Sequence, residues 1–183
     1  MARWLFLGIT LILLGGGCLG SPSPASILPP TPTPIPAGNF TFDSNRVASE
    51  TRAIEVKIFG FTPKGVPVEQ SSVLLTDPAV VQEIVRILLT AASGDCTTTR
   101  PTLEPQPPYG VDLILYNRPD IIPSRAASAS AMLASVDYHT PNYIGLWRSG
   151  DQTGEPIYEF CPVASLLKEL LQRELASRGI PFK

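Results

Sequence analysis

Between Ser21 and Gly38 the chain reads SPSPASILPPTPTPIPAG, eighteen residues with seven prolines and no charge. No other stretch restricts the fold so strongly. Proline lacks a backbone N–H and holds φ fixed, so at this density neither a helix nor a sheet ladder can form. Extended polyproline II is what remains. At about 3.1 Å per residue the run reaches some ~50 Å as a semi-rigid spacer. Pro29 and Pro32 also have the spacing read by proline-binding grooves, but no basic residue flanks them. The run divides the chain into a short leading segment and a long following one.

That division explains the composition. Of the 20 prolines in 183 residues, seven belong to the spacer and four more crowd residues 101–108. Every charged residue except Arg3 lies beyond Gly38, so the low charged fraction of 16% averages unlike segments. The part after the spacer has an ordinary globular composition and is long enough for one domain with a real core. A net charge of −2 offers no basic surface for nucleic acid. One His and three Cys rule out a histidine-rich metal centre.

The leading segment reads as a targeting signal. Arg3 supplies a positive charge, and Trp4–Leu14 is apolar at nine of eleven positions. That length is too short to span a bilayer, which takes about 20 residues. Gly15, Gly16, Gly17 and Cys18 follow directly. A small-residue run ending in Cys after an apolar core resembles the lipobox of bacterial lipoproteins. Gly15 stands where that family usually has Leu. The resemblance implies cleavage before Cys18 and lipidation of its thiol. It makes the membrane a partner through the lipid anchor and places the protein on the extracytoplasmic side, at the cell envelope. Leu19, where Asp tends to mark inner-membrane retention, leaves outer-membrane sorting open. An ordinary secretory signal cleaved near Gly20 and an uncleaved anchor are the alternatives. The expected organisation is a signal peptide over 1–17, a lipidated Cys with its tether over 18–39, and a globular domain over 40–183.

Within that domain, Ala53–Phe61 alternates apolar and polar residues, as a half-buried strand does. Pro63-Lys64-Gly65 reads as a turn, and Val73–Thr76 as a second short strand. Asp77 is placed to cap a helix with Pro78 at its first position, and Val80, Val81, Ile84, Ile87 and Leu88 form its stripe. Gly94 fits the helix end. Tyr109–Asn117, Met132–His139, Tyr143–Ser149 and Pro156–Phe160 read as further strands. Cys161-Pro162 then opens a last helix, striped by Val163, Leu166, Leu167, Leu170, Leu171 and Leu175 and ended by Gly179 and Pro181. The order β-β-α-β-β-β-β-α implies an α+β fold, with a single antiparallel sheet and two helices packed on one face.

Cys96 and Cys161 remain for pairing once Cys18 is set aside. Cys96 follows the first helix and Cys161 begins the second, so antiparallel helices lying side by side bring them together. Outside the cytoplasm such a pair persists as a disulfide. Closing this loop stabilises by about 4 kcal/mol in the chain-entropy model. Free thiols and a redox pair are the other readings, although no CxxC is present.

Chemistry is sparsely signalled. Asp137 and His139 could serve a hydrolase at the envelope, but no nucleophile elbow accompanies them. Asp112, Asp120, Asp137 and Asp151 fall on separate elements, so no metal site is expected. No dinucleotide-binding, Walker, EF-hand or HExxH pattern occurs, and no cofactor is expected. Ser93–Pro108 and Arg118–Ala131 are long loops. Arg100, Arg118, Arg125 and Arg148 could gather into an anion- or partner-binding surface, although ordinary solvated arginines explain them as well. Trp147 alternates with Leu146 and Arg148 and reads as core or sheet-face packing. The segments IEVKIFGF, SVLLTDPAVVQEIVRILLTA, YGVDLILYN and IYEFCPVASLLKELL together resemble YhfM-type extracytoplasmic lipoprotein domains, and the likeness covers most of residues 50–175. The resemblance implies the same succession of strand, capped helix, central strand and closing leucine-rich helix, and carries no activity with it. The expected role is a binding or interaction module at the envelope, with an envelope protein as partner and a hydrolase as the alternative.

Overall fold

The computed structural model of the protein describes residues 41–101, 109–122, 130–139, 142–149 and 155–182. The signal segment, Cys18, the proline run, Arg125 and Asp151 lie outside the described residues. The elements are α1 (Ser44–Glu50), β1 (Ala53–Phe61), β2 (Pro67–Leu75), α2 (Pro78–Ala92), β3 (Tyr109–Tyr116), β4 (Met132–His139), β5 (Tyr143–Ser149), β6 (Pro156–Pro162) and α3 (Leu166–Ala176). The fold is α+β. Its six strands form one antiparallel sheet in the order β2-β1-β3-β4-β5-β6.

Both β2 and β3 pair antiparallel with β1, so they point the same way with β1 between them. A link between two such strands must cross a face of the sheet, and α2 is that crossover. Its start follows the sequence: the Asp77 side chain accepts from the Ala79 and Val80 amides, with Pro78 in the first turn. Val81, Ile84, Val85, Ile87 and Leu88 are buried on the inner stripe. From α3, Leu167, Leu170, Leu171 and Leu175 join the same core. Across it lie Ile54, Val56, Ile58, Leu113, Leu115, Val136, Ile144 and Leu146, the alternate residues of four strands.

Three details depart from expectation. A third helix, α1, precedes β1. Its cap is Asp43, whose side chain accepts from the Asn45 and Arg46 amides. Phe42 before the cap and Val47 in the second turn are both buried in the main core, a hydrophobic staple. β2 begins at Pro67 rather than Val73, because an edge strand can be held by its ladder to β1 while its side chains stay exposed. Finally, Cys161 does not open a helix. β6 continues to Pro162 and α3 starts at Leu166. Cys161 pairs with Ile144 in the ladder and is fully buried, so the chain cannot turn into a helix there.

The end of α3 matches the sequence. Gly179 has φ 74°, the Gly179 amide donates to Ala176, and Ile180 donates to Leu175. Glycine suits this left-handed position, and the two bonds satisfy terminal helix carbonyls. Gly94, by contrast, is not left-handed; α2 ends with Ser93 and Gly94 folding back onto Leu89 and Ala91.

Cys96 and Cys161 form a disulfide. It does not join two helix ends, as the sequence suggested. It fastens the segment after α2 to β6, where Thr97 and Phe160 exchange backbone hydrogen bonds of 2.9 and 2.8 Å. That bridge covers part of one sheet edge, while β2 is the other.

Candidate functional site

Strand alternation sends every second residue to the face away from the helices. In the middle of that face Lys57 on β1, Asp112 on β3, Asp137 on β4 and Gly145 on β5 stand in register. One step along, Trp147 on β5 faces Tyr158 on β6. No helix among the described residues packs on this face.

Tyr158 organises the group. Its hydroxyl donates to Asp137 Oδ2 at 2.5 Å and lies 3.1 Å from His139 Nε2. With its proton committed to Asp137, the phenol oxygen is the acceptor for His139, which selects the Nε2–H tautomer. The ring reaches Asp137 by passing over Gly145. A β-carbon at 145 would stand 1.9 Å from the Tyr158 oxygen, so the reach exists because residue 145 has no side chain. Around the phenol, Phe160 packs edge-on to Tyr158 with ring centres 5.1 Å apart, and Trp147 edge-on at 4.9 Å. His139 also packs against Phe160, at 5.4 Å. Trp147 remains 45% exposed.

The electrostatics follow from partial burial. Burial pushes the Tyr158 phenol up, and its bond to Asp137 adds to this. Burial holds His139 below its ordinary value, with Asp137 opposing and Arg100 reinforcing. Burial first, then the Asp137 charge, raises Asp112 to about 6, against a smaller opposing effect of Lys57. Lys57 itself reaches Glu69 at 3.5 Å and Glu55 at 3.7 Å. Glu55 is fully buried and accepts from Ser72 at 2.6 Å and Tyr116 at 2.8 Å, so this carboxylate is satisfied. Asp112 makes no hydrogen bond or ion pair with a described residue.

The residues singled out in the sequence fall in different places. Asp137 and His139 are brought together, through Tyr158. No Ser hydroxyl bonds His139 among the described residues. Arg100 lies near His139 and Tyr158, close enough for its charge to act on both. Arg118 pairs with Asp120 at 2.6 Å, both exposed. Arg148 is on the helix side: it meets Glu159 at 3.1 Å, lies 3.6 Å from Cys96 Sγ and donates to the Ala92 carbonyl at the end of α2. Ligand atoms of Cys96, Glu159 and Cys161 lie within 4.8 Å of one another, but the two sulfurs are bonded together and Arg148 neutralises the carboxylate.

Asp112, Gly145 and Tyr158 were not recognisable as a group in the sequence. Asp112 and Asp137 are far apart in the sequence and lie on separate strands, and pairing in register makes them neighbours. The one available signal was that each is a lone charge in an apolar strand, in VDL and VDY. No helix of the described residues is long and apolar enough to cross a membrane. No family model, curated protein or solved structure matches this chain.

Proposed function

We propose that the protein is a lipid-anchored extracytoplasmic binding module. Cys18 carries the lipid, the proline run is the stalk, and the helix-free face of the sheet meets an envelope protein. The observation that carries the binding reading is Asp112: a half-buried carboxylate without a described partner, beside Asp137, Tyr158 and an exposed Trp147. Burying a charge without a partner is costly, and sites that accept this cost are enriched in function. The lipobox-like signal, the spacer and the disulfide support placement outside the cytoplasm. The likeness to YhfM-type lipoprotein domains belongs to the same proposal. A hydrolase built on Asp137 and His139 has less support, since the hydroxyl on His139 Nε2 is a phenol already committed to Asp137.

The test has two arms. Cells fed radioactive palmitate label the wild-type chain and lose the label in Cys18→Ala; label that never appears, or survives the substitution, removes the anchor. The wild-type chain and Asp112→Asn are then used to capture envelope proteins from the same extract. A protein retained by the first and lost by the second supports the face. Identical captured sets overturn it.

A further inference from the structure

We propose that Asp112 takes up a proton directly across the ladder from the Asp137 carboxylate, which makes the helix-free face a pH-sensitive surface. The purpose given to this proton rests on the binding reading above; its existence does not. The two residues are direct antiparallel partners on the same face, a relation that sets β-carbons about 4.5–5.5 Å apart. Asp137 uses Oδ2 for Tyr158, and its Oδ1 has no described partner. Asp112 has no described partner at either oxygen. The Asp137 carboxylate, paired with Asp112 across the ladder, therefore acts on it through its charge.

The surroundings favour one proton over none. Among the described residues, Lys57 and Glu55 on β1, Glu69 on β2, His139 on β4, Tyr158 on β6 and Arg100 after α2 are the charged and titratable groups around the pair. Lys57 is the nearest cation on the β1 side, but it already answers Glu55 and Glu69. Tyr158 donates to Asp137 and not to Asp112, so of the two carboxyls only Asp137 has a hydrogen-bond donor among the described residues. The asymmetry makes Asp112 the carboxyl that takes the proton. Burial and the neighbouring carboxylate place the Asp112 transition at about pH 6. Protonation takes the pair from two negative charges to one and turns Asp112 from acceptor into donor. A cationic group resting on this face beside Trp147 is held above the transition and loosened below it.

The experiment is a carboxyl-carbon NMR titration of the full chain, with aspartates labelled. The expected result is an Asp112 midpoint near 6 and an Asp137 signal that moves in the same pH range, because the Asp112 charge forms directly across the ladder from it. In Asp112→Asn that movement of Asp137 disappears. An Asp112 midpoint near the ordinary value of about 4, or an Asp137 signal flat through the Asp112 transition, overturns the proposal. If the variant does not fold, the two wild-type curves decide alone. No ligand is in the sample, so failure here leaves the capture experiment standing, and failure there leaves the Asp112 proton standing.

Discussion

At residue 145 the absence of a side chain is the structural feature. Any β-carbon there collides with the Tyr158 oxygen at 1.9 Å and with its ring carbon at 2.4 Å. Gly145→Ala must push the phenol off Asp137 and His139 and disturb its packing with Trp147. Overpacking of this kind costs about 1–3 kcal/mol. Urea unfolding of the variant is expected to show a lowered midpoint, and an unchanged midpoint contradicts the placement of the ring. Asp112 makes a pH prediction. Its carboxyl is raised from 3.8 to about 6 in the folded state. The contribution to stability is therefore complete below the unfolded value and lost as pH rises through 6. Solvent screens part of the effect, leaving about 1–2 kcal/mol. His139, held low by burial, works in the opposite direction, since the unfolded chain takes up its proton first on acidification. The useful quantity is thus the difference between wild type and Asp112→Asn. That variant should gain on wild type between pH 5 and pH 7.5, read from urea midpoints at both values.

At the scale of elements, the strongly periodic segments were legible and the weakly periodic ones were not. The spans of β1, β3, β4 and β5 follow from their alternation, and α2 from its cap and stripe. α1 has a single buried residue, Val47, in two turns, so periodicity could not announce it. Its staple, Phe42 with Val47 around Asp43, was the signal available. The first four residues of β2 are exposed and the next four only half-buried; the strand is held by backbone pairing, which leaves no apolar pattern to read. The two cysteines of the disulfide are legible as a pair, but the strand position of Cys161 is not. The function of the bond is to hold the segment around Thr97 against β6. Reduction should lower stability by roughly 2–5 kcal/mol. The same treatment should expose the Thr97 and Phe160 amides to hydrogen exchange while the β1–β3 ladder stays protected. Unfolding and exchange measured with and without reductant check both; equal protection at Thr97 in the two states refutes its dependence on the bond.

At the scale of the molecule, hydropathy determined much without help from the fold. The α+β class and the inner faces of β1, β3, β4 and β5 follow from local chemistry, because a period of 2 or 3.6 acts on neighbouring residues. Strand order is a different kind of information. Alternation says which face Asp112, Asp137, Gly145 and Tyr158 occupy, but not that β3, β4, β5 and β6 lie consecutively or in which register. One residue of slip would send Asp112 toward the helices. The tertiary structure settles that register through the shared core beneath the sheet. The cluster on the opposite face is a consequence of that packing, as no local pattern relates residues 112, 137 and 158.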